Sequence, residues 1–308
     1  MKKTIKSAFA KAFPAVLFDE KLSKYSTFQI GGPADFFYHL KENNELPALL
    51  KFCQKNHLPF FVFGGGSNIL FNDKGFRGLI IKIATKNIVI NKDISVTVDA
   101  GMAVAGLIKF TIEKNLSGLE KWIGLPGTVG GAVRGNAGCN GLETKRILKS
   151  AQILNTKTCK IRQVKNKYFN FKYRYSKLKK THEIVLNATF RLKKRKISSE
   201  EQQHLIKNLQ KSRISKQPFG ASTGSFFKNP STKQPAGLLI ELAGLKGKTI
   251  NHARISPKHA NFLLNLGGAK AQDILKLARF ARQTIKRKFR LTLEEEVQIL
   301  SVKGPQKL

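Results

Sequence analysis

The sequence predicts an α+β fold built in two parts. Short apolar runs typical of strands are interspersed irregularly with amphipathic runs typical of helices, so a strict strand–helix–strand alternation is absent. With 308 residues, of which 41% are hydrophobic, the chain is long enough for about two ordinary globular domains. A basic run at 191–196 separates the strand-rich first part from a smaller second part.

The first part combines helices and short strands. A helix is predicted over 45–56, because apolar residues repeat there at helical spacing. A buried strand follows at 59–63, where three phenylalanines and a valine come after a proline. A second helix is predicted over 103–114. Further strands are predicted at 79–83, 88–90, 95–98, 151–154 and 182–190.

The second part begins with a capping box, in which Ser198 and Glu201 satisfy the first backbone groups of a helix. Leu205, Ile206 and Leu209 give that helix an apolar face. Beyond it, the pattern predicts a helix over 236–243, a strand over 262–266 and an amphipathic helix over 271–288. We interpret Arg191–Lys196 as a solvated connector. The predicted boundaries are a basic N-terminal extension at 1–20, a first domain at 21–195 and a second at 196–303.

The N-terminal segment resembles the start of a signal peptide, but Lys11 and Pro14 interrupt its apolar part and no cleavage site of small residues follows. We interpret it as a basic strand or helix and expect a cytoplasmic protein. No stretch reaches the roughly 20 apolar residues of a transmembrane helix, so membrane insertion is not expected.

Three cysteines, Cys53, Cys139 and Cys159, are too few and too widely spaced for a disulfide framework or a zinc site, and no metal is expected. Cys53 shares the helical spacing of its apolar neighbours and is predicted to lie in the core. Cys139 follows a glycine-rich segment and either lies near a site or is a bystander; we favour the bystander.

The formal net charge of +37 would attract polyanions, so a nucleic-acid-binding protein is one hypothesis. The basic residues are spread along the chain, however, and no helix-turn-helix, zinc finger or aromatic RNA-binding motif accompanies them. We therefore favour a lysine-rich surface without a specific nucleic-acid partner.

A first glycine segment follows the buried strand at 59–63. Consecutive glycines allow positive φ and close approach of the backbone to a ligand, and their N–H groups can form a nest for an anion. Neither a Walker A loop nor a G-x-G-x-x-G fingerprint is present, and a plain glycine turn explains the segment about as well. Its candidate ligand-binding residues are Gly64, Gly65, Gly66, Ser67 and Asn68.

A second glycine segment spans 124–138 and has six glycines in fifteen residues, which is too many for a packed strand or helix. It indicates a backbone wrapped around a flat or phosphorylated ligand. Two such segments in one domain favour a dinucleotide. The candidate residues here are Pro126, Gly127, Thr128, Gly130, Gly131, Asn136 and Gly138.

Two further segments carry polar groups. Arg174, between two tyrosines, lies either on a surface strand or in a site where it offers its guanidinium to a carboxylate or a flavin carbonyl. Ser225 lacks a G-x-S-x-G elbow, which argues against a hydrolase nucleophile. A proton donor or a structural cap fits Ser225 better.

These four segments, in this order, resemble the UDP-N-acetylenolpyruvoylglucosamine reductase (MurB) family. The resemblance covers about residues 21–302, and the short spacing between Ser176 and Arg213 is similar to that of the compact subtype. Further matching motifs lie at 27–34, 236–241, 243–247, 259–262 and 293–297.

The resemblance implies a two-part FAD-binding domain of the vanillyl-alcohol-oxidase/PCMH type, followed by a smaller α+β substrate-binding domain. It implies non-covalent FAD, NADPH as hydride donor, and reduction of UDP-N-acetylglucosamine enolpyruvate to UDP-N-acetylmuramate for peptidoglycan synthesis. We expect a monomer. A different flavoprotein of the same superfamily, such as a sugar or alcohol oxidase, is the alternative.

The resemblance also implies roles for single residues. The family's catalytic arginine, serine and glutamate match Arg174, Ser225 and Glu296, which would hold the substrate carboxylate and deliver a proton. The choice of Glu296 over Glu294 and Glu295 depends on the valine that follows it. The FAD pyrophosphate loop matches 64–68, and the second flavin loop matches 126–138. The substrate-binding positions match Tyr173, Arg213, Lys216, Lys228, Asn229 and Lys246.

Overall fold

The computed structural model describes the backbone of residues 2–308 and the side chains of residues 5–198 and 200–308. The α-helices are α1 (Lys2–Ala12), α2 (Leu46–Lys55), α3 (Val104–Glu113), α4 (Val129–Gly135), α5 (Thr144–Ile147), α6 (Ser199–Lys216), α7 (Ala236–Leu242) and α8 (Ala271–Phe289). The strands of the first part are β1 (Leu17–Lys21), β2 (Pro33–Leu40), β3 (Phe60–Phe63), β4 (Ile69–Phe71), β5 (Phe76–Ile83), β6 (Ile88–Ile90), β7 (Val96–Asp99), β8 (Leu116–Ser117), β9 (Gly138–Cys139), β10 (Leu142–Glu143), β11 (Leu148–Asn155), β12 (Ile161–Lys165), β13 (Glu183–Phe190) and β14 (Lys193–Lys194). The strands of the second part are β15 (Thr249–Ile250), β16 (Ala253–Ile255), β17 (Leu263–Asn265), β18 (Gln298–Leu300) and β19 (Pro305–Gln306).

The first lobe is a mixed sheet in the order β1-β2-β5-β3, in which β2, β5 and β3 run parallel and β1 is antiparallel. Its strands alternate apolar residues between two faces. Helices α1 and α2 cover one face: Phe9 of α1 is fully buried, and its ring lies 5.2 Å from that of Phe36 and 4.7 Å from that of Phe52. The basic N-terminal segment is therefore a packed helix.

The second lobe is an antiparallel sheet in the order β12-β11-β13-β7-β6. Helix α4 packs on β13, and the apolar residues of this lobe form one core with those of the first. Trp122 is fully buried in that core, where its ring lies 5.6 Å from that of Phe190 and its Nε1 donates a hydrogen bond to the Leu142 carbonyl. Cys53 is buried in the same core, as predicted.

The second part has its own core between α7, α8 and the sheet β15-β16-β17. The apolar stripe predicted for 271–288 is the buried face of α8. Its fully buried residues are Ile274, Leu277, Ala278, Ala281 and Ile285.

The end of the chain returns to the first part. Strand β18 pairs in parallel with β4, so the segment before β18 lies against the first glycine segment. Asp73, which follows β4, accepts hydrogen bonds from the Ala271 and Gln272 amides at the start of α8. These contacts connect the two parts, whereas the boundaries at 20, 195 and 303 stay a prediction.

The predicted elements are present within three residues of their expected ends. Three interpretations were wrong. The second glycine segment contains a helix, α4, because Val129, Ala132 and Val133 are buried against the core. Leu205 is exposed on α6, so only part of the expected apolar face is used. The basic connector includes β14, which pairs with β8, and is therefore not simply solvated.

Candidate active site

A cleft of about 540 Å³ lies where the two lobes of the first part meet the second part. Its walls include residues from both glycine segments, from the segment after β12 and from the segment that contains Ser225. Four stretches that are far apart in the sequence therefore form one site. The predicted residues that line it are Gly64, Gly65, Gly66, Ser67, Asn68, Pro126, Gly127, Thr128, Gly130, Gly131, Gly138, Arg174, Arg213, Lys216, Ser225 and Glu296.

The two glycine segments touch each other. A Cβ atom added at Gly64 would lie 2.1 Å from the Thr128 hydroxyl oxygen, and one added at Gly65 would lie 2.8 Å from the Gly127 Cα. Gly127 also has a φ of +92°. Glycine is required here because two backbones are in direct contact.

Other glycines of the cleft leave open space. A Cβ atom at Gly135 or Gly224 would meet nothing within 4 Å, although both residues line the cleft. The Thr128 hydroxyl is buried without a hydrogen-bond partner among the described residues, and the Ser67 hydroxyl makes none either. A wall of bare backbone with unused polar groups fits a large, flat, polar ligand such as FAD.

Arg174 and Glu296 meet in the cleft. The Arg174 Nε lies 3.0 Å from the Glu296 Oε1, and both side chains are largely buried. Nε nevertheless finds no aligned hydrogen-bond acceptor, so the pair is an ionic contact. Nη1 donates to the Gly138 carbonyl at 3.3 Å, which ties the guanidinium to the second glycine segment.

Main-chain contacts place Glu296 beside Ser225. The Glu296 amide donates to the Phe226 carbonyl at 2.8 Å. The Asn68 side-chain amide donates to the Glu296 carbonyl at 3.1 Å, so the first glycine segment also holds this residue. The Ser225 hydroxyl lines the cleft and makes no hydrogen bond to a described residue.

The cleft carries more positive than negative charge. Burial raises the pKa of Glu296, and the cations Arg174, Lys179 and Lys228 oppose that rise. Burial lowers the pKa of Lys179 to about 8, and the nearby Arg134 adds to the effect. Burial also lowers the pKa of Arg134. One carboxylate with a raised pKa thus faces several crowded cations, which is the electrostatic setting of an anion-binding site.

Comparisons with known proteins identify the family of this chain. Residues 34–164 match an FAD binding domain, and residues 215–300 match the C-terminal domain of UDP-N-acetylenolpyruvoylglucosamine reductase. The reductase of Chlamydia abortus is 37% identical over 285 residues, which are 92% of this chain and 94% of that protein. The chain belongs to the UDP-N-acetylenolpyruvoylglucosamine reductase family. The crystal structure of the Thermus caldophilus reductase superposes with a TM-score of 0.76 at 31% identity and covers 92% of this chain and 97% of that one.

Membership in the reductase family confirms two predictions, the fold class and the enzyme class. The fold is α+β, with an FAD-binding domain followed by a smaller domain, and the protein is an FAD-dependent oxidoreductase. A second relative, the reductase of Bacillus pumilus, is 38% identical over 292 residues. No helix within residues 2–308 is long and apolar enough to span a membrane. Within the same described range, no cluster of His, Cys, Asp and Glu could hold a metal.

The structure separates the three adjacent glutamates of the reductase family motif. Glu294 is exposed and its carboxylate lies 2.9 Å from the Lys228 Nζ. Glu295 lies 3.9 Å from Arg282 and accepts a hydrogen bond from the Leu308 amide. Only Glu296 of these three lines the cleft.

The predicted substrate-binding residues fall into two groups. Arg213 and Lys216, at the end of α6, line the cleft. Four others do not line it. The exposed Tyr173 accepts a hydrogen bond from the Asn229 amide at 3.4 Å, Lys228 pairs with Glu294, and Lys246 lies 2.5 Å from Glu241.

The structure does not bring Asn136 to the cleft. This predicted cofactor-binding residue is fully buried, its Nδ2 donates to the Lys172 carbonyl at 2.9 Å, and its Oδ1 accepts from the Lys145 amide at 3.0 Å. Its side chain is thus already bonded within the protein, and it anchors the segment that carries Arg174.

Arg134, Lys179 and Cys139 are among the residues of the cleft wall that sequence reasoning missed. Arg134 is hidden among glycines, and Lys179 is one of several nearby lysines, so neither has a distinguishing signal. Cys139, interpreted as a bystander, lines the cleft, and its sulfur accepts a contact of 3.6 Å from the Arg213 guanidinium. Its place after a glycine segment was the available signal.

Proposed function

We propose that this chain reduces UDP-N-acetylglucosamine enolpyruvate to UDP-N-acetylmuramate, with NADPH as hydride donor, in peptidoglycan precursor synthesis. The observation that carries the proposal is the contact between Arg174 and Glu296, beside Ser225, in a cleft walled by two glycine segments. Family membership supports the reaction, and this contact supports the assignment of Arg174 and Glu296 to it.

The glycine segments at 64–68 and 126–131 would hold FAD, since they supply bare backbone and unused hydroxyl groups along one wall. When bound there, FAD would supply the hydride chemistry between NADPH and the terminal carbon of the enolpyruvyl group. The protein contributes orientation, charge and a proton.

Arg174 and Glu296 would bind the substrate carboxylate. Hydride addition to the terminal carbon places negative charge on the neighbouring carbon and into the carboxylate. The Arg174 cation stabilises that charge, and a protonated Glu296 can donate a hydrogen bond to it. Burial raises the pKa of Glu296, which supports the protonated form.

Ser225 would deliver the proton that completes the reduction. Its neighbour Phe226 is hydrogen-bonded to Glu296, so the hydroxyl lies next to the residues assigned to the carboxylate. No described residue competes for that hydroxyl. A single donor on one side of the substrate also determines the configuration of the new stereocentre.

Arg213 and Lys216 extend the positive charge of the cleft wall and would contact the UDP diphosphate. Contacts of Tyr173, Lys228, Asn229 and Lys246 with the substrate stay predictions. A monomeric state stays a prediction. We also propose a cytoplasmic location, where NADPH supports biosynthetic reduction.

The cofactor is tested by denaturing the purified yellow protein with acid and centrifuging it. We expect FAD in the supernatant, because the proposed contacts are non-covalent. Flavin that stays with the precipitate, or release of FMN alone, would show that the cofactor prediction is wrong.

The reaction is tested anaerobically by following flavin absorbance. NADPH should bleach the flavin, and UDP-N-acetylglucosamine enolpyruvate should then restore its colour and gain two hydrogen atoms by mass. UDP-N-acetylglucosamine, which lacks the enolpyruvyl group, is the control and should leave the flavin reduced. Reduction of the flavin by a sugar or alcohol without NADPH would instead support an oxidase.

A further inference from the structure

Lys179 is bonded to the main chain of the arginine in the catalytic pair. It is the last residue of a 3-10 turn, Lys177–Lys179, and its Nζ donates a hydrogen bond to the Arg174 carbonyl at 2.7 Å. The side chain is partly buried in the cleft wall. The Glu296 carboxylate pairs with Arg174 and not with Lys179, so no ion pair among the described residues competes with this hydrogen bond.

Arg174 has an unusual backbone conformation. Its φ is +51°, in the left-handed region that residues other than glycine rarely adopt. Such a conformation persists only where the surrounding structure holds it, and it often marks a functional site. The turn is closed by two hydrogen bonds between Lys172 and Tyr175, so Arg174 lies at its tip.

Neighbouring bonds attach this turn to the end of α4. The side-chain Nδ2 of Asn136 donates a hydrogen bond to the Lys172 carbonyl, and the Ser176 hydroxyl donates one to the Arg134 carbonyl at 2.6 Å. Both bonds hold residues beside Arg174. The bond from Lys179 is the one that reaches the Arg174 carbonyl itself.

We propose that Lys179 is a positioning residue of this enzyme: its ammonium group holds Arg174 in the left-handed turn that directs the guanidinium to Glu296. The inference rests on the proposed function, because the value of that orientation lies in binding the substrate carboxylate. Lys179 itself is not assigned a contact with substrate or cofactor.

The surroundings of Lys179 give the proposal a pH dependence. The charged groups that act on it are Arg134 of α4, Arg174 of its own segment, Lys228, and one anion, Glu296. Burial and these cations lower the pKa of Lys179 to about 8. Below that pH the ammonium donates a charge-assisted hydrogen bond; above it the neutral amine donates a weaker one. The charge-assisted bond therefore dominates well below pH 8, and positioning declines as the pH rises through about 8.

The test compares Lys179→Met, Lys179→Arg and the wild type in anaerobic stopped-flow measurements at saturating substrate. Lys180→Met is the matched control, because Lys180 is the next residue, is exposed and makes no side-chain hydrogen bond or ion pair with a described residue. We expect Lys179→Met to slow flavin reoxidation by substrate about 10²-fold, as misplacement of a binding group does, and to spare flavin reduction by NADPH. Lys180→Met should match the wild type.

The pH profile separates positioning from a general effect on folding. Wild-type reoxidation should fall above about pH 8, whereas Lys179→Arg should recover much of the rate and lose that limb, since arginine stays charged. If Lys179→Met binds substrate and reoxidises the flavin as the wild type does, Lys179 does not position Arg174 and the proposal is wrong. An unchanged alkaline limb in Lys179→Arg would also overturn it.

A crystal structure of Lys179→Met gives a readout that needs no activity. We expect Arg174 to leave the left-handed region and its Nε to move from 3.0 Å to a longer distance from Glu296. An unmoved pair would contradict the proposal even if the wild type reduces the substrate. If the wild type fails to use the substrate, the proposed function is wrong, and this comparison still decides the role of Lys179.

Discussion

At the residue scale, the chemistry of a side chain in this site depends more on its surroundings than on its residue type. Three consecutive glutamates differ in this way. Glu294 is paired and exposed, Glu295 faces Arg282, and Glu296 is buried against Arg174. Burial raises the pKa of Glu296, whereas the pairing of Glu294 with Lys228 lowers the pKa of that carboxyl. Three identical residues therefore differ in how readily they hold a proton, and Glu296 holds it more readily than Glu294 does.

Replacement of Ser225 by alanine should affect one half-reaction. NADPH should reduce the flavin at the wild-type rate, because no proton reaches substrate in that step. Reoxidation by UDP-N-acetylglucosamine enolpyruvate should slow by about 10²–10⁴-fold, the typical contribution of a positioned general acid. Anaerobic stopped-flow absorbance of the flavin measures both steps in one sample.

Two further variants control this measurement. Ser225→Cys keeps a transferable proton and should recover part of the rate. Ser231→Ala removes an exposed hydroxyl from the following loop and should leave both steps unchanged. If Ser225→Ala reoxidises at the wild-type rate, Ser225 is a structural cap and the proton comes from another group.

At the scale of elements, packing overrides local preference in the second glycine segment. Glycine lowers helix stability by about 1 kcal/mol per residue relative to alanine, and α4 nevertheless forms. Its Val129, Ala132 and Val133 are buried against the core, while Gly131 and Gly135 line the cleft. The helix thus gives a packed face to the core and a bare face to the ligand.

Asp73, in the first part of the chain, should stabilise the fold by capping the start of helix α8 in the second part. Its carboxylate accepts from the Ala271 amide at 2.7 Å and the Gln272 amide at 3.2 Å, where the dipole of α8 favours negative charge. Loss of such a cap costs about 0.5–2 kcal/mol. We expect Asp73→Ala to lower the midpoint of urea unfolding.

Two control variants show whether the hydrogen bonds of Asp73 cause this change in stability. Asp73→Asn keeps an acceptor oxygen and should lose less stability than alanine. Asp19→Ala removes a carboxylate that pairs with Lys6 at the surface, and exposed pairs of this kind contribute little. Equal midpoints for Asp73→Ala and the wild type would show that the contact with α8 does not stabilise the fold.

At the scale of the whole molecule, the net charge of +37 should give weak polyanion binding that weakens steeply with salt. No base-reading motif accompanies the charge, so duplexes of unrelated sequence should bind alike. Fluorescence anisotropy with two such duplexes over a salt series tests this. Tight binding to one sequence at physiological salt would revive the nucleic-acid hypothesis.

Features that depend on near neighbours could be predicted from the amino-acid sequence. Helical and strand periodicity, the capping box at Ser198 and the glycine segments are local patterns, because backbone preferences and side-chain spacing act over a few residues. The ordered motifs also identified the family and the residue types at Arg174, Ser225 and Glu296. These features follow from short stretches of chain read one at a time.

Tertiary structure alone decided which side chains meet. The pairing of β18 with β4 brings Glu296 to the first glycine segment and to Arg174, and no local pattern encodes that return of the chain. The same packing turns Asn136 inward and places Arg134 and Lys179 in the cleft wall. Burial then sets their charge states, since desolvation depends on every element around a group rather than on its sequence neighbours.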